Sequence, residues 1–158
     1  MATLNVERVA LSPEWMLGLP EVVRMEQISD YMGRALTAAA ADIGRAGAIP
    51  AGPALALYRG TVADTADVTA GFPVAAPVPT SRGTEVVALP TGEAIEAVHV
   101  GPYDTLGQTY EHLMAYFAEQ NLTPASVMWE QYVVGPDTEP DPQKWRTRIV
   151  VPLHRDEP

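Results

Sequence analysis

Gly47-Ala48-Ile49-Pro50-Ala51-Gly52 superposes on Asn121-Leu122-Thr123-Pro124-Ala125-Ser126 when residue 47 is laid on residue 121. Gly and Asn are the residues most at ease in the left-handed conformation that ends a helix, and a proline three positions later prevents continuation. Each segment therefore reads as a helix stop. Upstream, the same offset lays Met32 on Leu106, Leu36 on Tyr110, Ala39 on Leu113 and Ile43 on Phe117. Spacings of four, three and four residues put each set on one helical face, which predicts helices over roughly 27–46 and 103–120. Downstream, Tyr58 falls on Tyr132, in stretches 54–59 and 127–134 that read as strands.

Further strands are expected around 5–10, 15–24, 67–74, 84–89, 94–100 and 145–153. The chain is then an internal repeat, with halves of roughly 1–76 and 84–153, each reading strand, helix, strand, strand. The Pro- and Ala-rich segment 75–83 links the halves, and 135–143, with three prolines and three acids, is a long hairpin connection. Two such units predict a single α+β domain over 1–158: an antiparallel sheet, both long helices on one face, and a central ligand cavity between them.

Composition narrows the function. Apolar residues make up 47% and charged residues 19%, an ordinary globular mixture. Twenty acids against ten bases leave a formal charge of -10, which argues against direct nucleic-acid binding, since phosphates call for clustered Lys and Arg. The chain has no cysteine, so disulfides and thiolate chemistry are excluded. The first residues lack a signal-peptide profile, and the apolar run at Ala38–Ala41 ends at Asp42 and Arg45, so the expected location is the cytoplasm, off the membrane. His99, His112 and His154 are dispersed, without metal-ligand spacing, and no cofactor or metal is expected. Ser12, Ser29, Ser81 and Ser126 stand in no nucleophile motif.

Specific motifs gather after His99. They are His99-Val100-Gly101-Pro102-Tyr103 before the second helix, Trp129-Glu130-Gln131-Tyr132 in a strand, Asp141-Pro142 in the hairpin, and Trp145-Arg146-Thr147-Arg148-Ile149 leading to Pro152. In these residues the second half resembles the GyrI-like effector-binding domain, also found behind the DNA-binding heads of AraC-type and MerR-type multidrug regulators. The first half matches more loosely, through the strand ending in Tyr58 and through Gly71-Phe72-Pro73-Val74. The resemblance implies a cavity for bulky, often cationic aromatic compounds. Its acidic anchor lies in a Glu-x-Tyr strand motif, here Glu130 and Tyr132. One departure is Arg148, where relatives commonly carry an acid after the Thr of the last strand; facing the cavity, it would alter the charge preference.

Alternation in a strand points Glu130 and Tyr132 to one face and Trp129 and Gln131 to the other. A carboxylate among apolar neighbours is costly without a counter-charge, which a cationic ligand supplies. The plain alternative is a surface or structurally paired glutamate, and the repeat weighs against it, because Glu130 falls on Ala56. Tyr58 and Tyr132 are expected as aromatic walls, and Tyr103 and Tyr110 lie on the apolar side of the second helix. Trp15 and Trp145 are expected at the cavity ends, with ordinary core packing as the plain alternative for all of these rings. The first helix is small-sided, with Gly33, Ala35 and Ala38–Ala41, which allows close packing or leaves room for a ligand. The leading expectation is a stand-alone binder of amphipathic aromatic molecules: a sensor, carrier or sequestering protein, as in drug resistance. Two alternatives accompany it. One is a hydrolase that opens cyclopropane-bearing DNA-alkylating natural products with Glu130 as the general base. The other is a protein-interaction role like that of gyrase inhibitors.

Overall fold

In the computed structural model, which describes residues 5–81 and 83–154, the chain runs β1 (Asn5–Leu11), β2 (Trp15–Arg24), α1 (Ile28–Arg45), β3 (Leu55–Arg59), β4 (Thr65–Val74), β5 (Glu85–Ala88), β6 (Gly92–Val100), α2 (Leu106–Glu119), β7 (Val127–Val134) and β8 (Arg146–Pro152). The recorded strand pairings are antiparallel and the fold is α+β. Both helix stops are where the sequence places them. Gly47 has φ 71° and Asn121 φ 57°. Ala48 N–H donates to Ile43 O and Gly47 N–H to Gly44 O; Leu122 N–H donates to Phe117 O and Asn121 N–H to Ala118 O. That pair of bonds is the Schellman closure, which satisfies the last carbonyls of each helix.

One compact unit comprises Ser12–Pro90, and its strands lie in the order β3-β4-β2-β5. The crossing of β2 and β4 is tight at Gly18 and Gly71, which face each other; a Cβ on Gly71 would lie 1.8 Å from the Leu17 carbonyl oxygen. Helix α1 packs on β2 and β4. Its buried face is Tyr31, Ala35, Ala39, Asp42 and Ile43, rotated from the expected Met32–Leu36–Ala39–Ile43 stripe; Met32 and Leu36 are only half-buried. The reason is polar. The Tyr31 hydroxyl reaches the sheet backbone, accepting from Ala70 N–H at 2.8 Å and lying within donor range of the Leu19 and Val68 carbonyls, and the alanines allow that close approach. Burial pushes the Tyr31 phenol up to about 12.

The second compact unit comprises Met1–Leu11 with Thr91–Pro158, and its strands lie in the order β1-β6-β8-β7. Ile95, Ala97, Ile149 and Val151 on the sheet close with Leu113 and Phe117 of α2 into its core, flanked by Val6, Leu106, Tyr110, Tyr116 and Met128. The sequence halves do not each keep their first strand. β1 pairs with β6, and β5 pairs with β2, so each unit takes an edge strand from the other half of the sequence. Residues 103–105, expected inside the second helix, form a separate tight turn ahead of α2.

Candidate functional site

The site is built within the second unit, on the sheet face under α2. Glu130 on β7 stands across from Ile149 of β8, whose side chain belongs to the apolar core beneath the helix. Alternation brings Tyr132 to the same face. Glu130 is 8% exposed. Its carboxylate accepts two phenolic hydrogen bonds, from Tyr110 of α2 on Oε2 and from Tyr132 on Oε1, the latter at 3.0 Å. No Lys, Arg or His among the described residues pairs with it. A buried carboxylate held only by neutral donors has its hydrogen bonds and lacks its counter-charge.

Two further rings extend from Tyr132. Tyr103 meets Tyr132 edge-on, with centroids 5.9 Å apart, and lies tilted on Trp145 at 5.0 Å. Trp145 is fixed by its indole N–H, which donates to Glu139 O at 2.8 Å, and by its own carbonyl, which accepts from Gly101 N–H. The hairpin sets up that placement: Asp141 accepts from Gln143 N–H and caps the tight turn Pro142–Lys144 just before Trp145. Gly135 belongs to the same corner, since a Cβ there would approach the Tyr103 hydroxyl at 2.9 Å. Tyr103 is 37% exposed. Burial of its inner part, with Asp137 and Glu130 adding like charge, pushes its phenol upward, so it stays a donor at neutral pH.

His99 explains why Tyr103 sits in a turn. It is buried, with Nδ1 2.6 Å from Thr109 Oγ1 and Nε2 3.0 Å from Pro102 O and from Thr105 Oγ1. Thr105 Oγ1 also donates to Pro102 O at 2.8 Å. The Pro102 carbonyl only accepts, so Nε2 carries the proton and Thr109 donates to Nδ1. The network anchors the Gly101–Pro102 corner, where Gly101 has φ 129°, and launches Tyr103 toward Trp145.

Of the candidate residues, Glu130, Tyr132, Tyr110, Tyr103 and Trp145 come together in this unit. Tyr58, on β3, and Trp15, on β2, belong to the other unit; Tyr58 is 9% exposed and Trp15 38%. Arg148 lies across from Gln131, on the opposite face of the sheet from Glu130. There it pairs with Glu96 at 3.0 Å, so it does not set the charge around Glu130. The reading of sequence missed Thr147, fully buried on the Glu130 face across from Tyr132, and the Thr105–Thr109–His99 network. The one signal for the network was a pair of threonines spaced to share a helix face. Among the described residues no three His, Cys, Asp or Glu gather as a metal site, and no helix is long and apolar enough to cross a membrane.

The model of the GyrI-like small molecule binding domain matches residues 16–154. No curated protein matches the chain by sequence. Several solved structures share the fold. In the EcmrR–DNA complex the TM-score is 0.79 at 16% identity, over 97% of this chain but 58% of the longer EcmrR chain; the isolated EcmrR C-terminal domain matches over 98% of both chains at TM-score 0.74 and 16% identity. A hydrolase encoded by lin2189 from Listeria innocua gives 0.65 at 15% identity, covering 94% of this chain and 91% of its own. SAV2435 bound to tetraphenylphosphonium gives 0.61 at 14% identity, covering 97% and 94%.

Proposed function

The chain belongs to the GyrI-like small-molecule-binding family, and from that premise we propose that it binds bulky aromatic cations with Glu130 as the anchor. The observation that carries this reading is the state of the Glu130 carboxylate: 8% exposed, hydrogen-bonded only by two phenols, and beside the Tyr132–Tyr103–Trp145 rings. A cation entering there gains the counter-charge term, and each ring face adds about 0.5–2 kcal/mol. Lipophilic aromatic cations satisfy both demands at once; anions meet the like charge. Support also comes from the fold relative SAV2435, which was solved with tetraphenylphosphonium.

The test is a fluorescence titration with a lipophilic cationic dye beside a neutral analogue of the same ring system. The intact protein binds the cation more tightly, and Glu130→Gln, which keeps the shape, lowers cation affinity by roughly a hundredfold, the scale of a desolvated charge pair. Equal dye affinity in the Gln variant overturns the reading.

Hydrolysis is the second reading. It is favoured by the Tyr103 donor standing near a buried carboxylate, and one fold relative is described as a hydrolase. Here a water oxygen bonds to the strained carbon of a conjugated cyclopropane while Glu130 takes the water proton. The ring C–C bond breaks, its electron pair moves to the conjugated carbonyl oxygen, and the Tyr103 hydroxyl stabilises that oxygen until a solvent proton reaches it. Mass spectrometry of such a substrate with intact protein, Glu130→Gln and buffer decides it. Repeated turnover by the intact protein, slowed roughly a hundredfold in the variant, establishes catalysis, and decay equal to buffer leaves binding alone.

A further inference from the structure

Thr147 on β8 is completely buried, and its hydroxyl has no hydrogen-bond partner among the described residues. Its place makes that orphan informative. Across the strands it stands between His99 of β6 and Tyr132 of β7, on the same face as Glu130 and one residue pair away from it. The polar atoms on either side are committed elsewhere. Both ring nitrogens of His99 are engaged by Thr109 and by the Pro102–Thr105 corner, while the Tyr132 hydroxyl donates to Glu130. The corresponding position in the other unit, across from Tyr58, is Val68, which is also fully buried. Valine has the shape of threonine with a methyl in place of the hydroxyl, so packing at this position does not call for the oxygen. A buried hydroxyl without a partner destabilises the fold, and an apolar isostere removes that cost.

We propose that Thr147 is a ligand-contacting, specificity-determining residue: it selects, among aromatic cations held at Glu130, those that carry a hydrogen-bond acceptor beside the cationic ring system. The inference rests on the binding reading above and deepens it. A cation that takes the Glu130 carboxylate competes with the Tyr132 phenol for Oε1. Displacement of that phenol, which is only half-buried, uncovers the hydroxyl opposite it. Thr147 then donates to a carbonyl or ether oxygen of the ligand, and the hydrogen bond missing from the free protein is made only in the complex.

The experiment uses two triphenylphosphonium probes of equal charge and shape, one with a terminal methyl ketone on its alkyl arm and one with the methylene isostere. Affinities are measured by calorimetry for the intact protein, Thr147→Val, Thr147→Ser and Glu130→Gln. The intact protein prefers the ketone; Thr147→Val lowers ketone affinity about tenfold, to the level of the isostere, whose own affinity is unchanged, and Thr147→Ser keeps the preference. Melting temperature is read alongside, and Thr147→Val melts at or above the parent. Ketone and isostere bound equally by the intact protein, or weakened equally by Thr147→Val, overturn the role of Thr147 while Glu130→Gln still weakens both probes by roughly a hundredfold. A drop of several degrees in the Val variant also overturns it, by revealing a structural partner for the hydroxyl. Absence of binding by either probe to the intact protein defeats the cation reading, and this inference with it.

Discussion

Among the described residues each unit buries one carboxylate, and the two are treated in opposite ways. Asp42 at the end of α1 is 1% exposed and fully answered: the Arg45 guanidinium pairs with one oxygen, and Ser81 N–H and the Thr84 hydroxyl donate to the other. Glu130 is nearly as buried, yet it has two phenols and no cation among the described residues. Charge, hydrogen bonding and packing agree at Asp42, where the side chain straps the segment before β5 onto the helix. At Glu130 only hydrogen bonding and packing agree. The sequence offset places Ala56 opposite Glu130 and Leu36 opposite Tyr110, and Ala56 is fully buried in its own unit. The same local structure thus forms without the acid. Asp42 is closed by partners within the fold, whereas Glu130, on the reading proposed above, keeps its charge for a ligand.

Paired amide substitutions are the sharpest way to break this contrast. Asp42→Asn removes the ion pair and, with its oxygen kept toward Ser81 N–H and the Thr84 hydroxyl, turns its amide N–H₂ toward the Arg45 guanidinium, costing about 3 kcal/mol. In a chain of this size that lowers the melting temperature by about 10 °C. Glu130→Gln keeps an acceptor and discharges an uncompensated buried charge, so its melting temperature stays within about 3 °C of the parent or rises. Thermal unfolding followed by circular dichroism checks both. Equal losses would make Glu130 structural and erase the distinction.

A smaller effect tests the first unit alone. The Tyr31 phenol is raised to about 12 from its ordinary 10.0, so the folded state holds this proton more tightly than the unfolded chain does. Its contribution is therefore complete below pH 10 and is lost as pH climbs from about 10 through about 12. Denaturant titrations of the parent and Tyr31→Phe at several alkaline pH values isolate the term. The stability difference between them, which includes the lost bond to Ala70 N–H, narrows by up to about 2 kcal/mol across that window. A pH-independent difference would show that the hydroxyl is wet and the tight α1 packing loose.

Local rules made much of this legible. Gly47 and Asn121 require left-handed backbone, and both adopt it; Glu130 and Tyr132 must share a face, and they do. What escaped depends on contacts between distant residues. No periodicity in 5–11 says that β1 pairs with β6, because pairing partners are set by the whole topology. The α1 stripe was read one residue off because hydrophobicity alone weighs Met32 above Tyr31, while the Tyr31 hydroxyl finds backbone partners in the sheet. The turn at Tyr103 escaped because the His99 ring and Thr105 fix the Pro102 carbonyl, a three-body arrangement without a sequence signature. Thr147 was invisible for a related reason: an orphaned hydroxyl is defined by what its neighbours do not offer.

The exchange of edge strands determines when each strand's partner becomes available during synthesis. The ribosome delivers β1 early, yet its partner strand emerges only after the whole of Ser12–Pro90, with Glu7 meeting Glu96 across the finished pair. Ser12–Pro90 is contiguous, so the partners of β2, β3, β4 and β5 are all present before β6, β7 and β8 have been made. During that interval β1 is a lone strand whose Val6, Val9 and Leu11 have no sheet to cover them. Glu7 and Arg8 in its middle break up the apolar run and discourage pairing with another nascent chain. The last strand to arrive, β8, joins β6 to β7, so the face that carries Glu130 is completed only when β8 has been made.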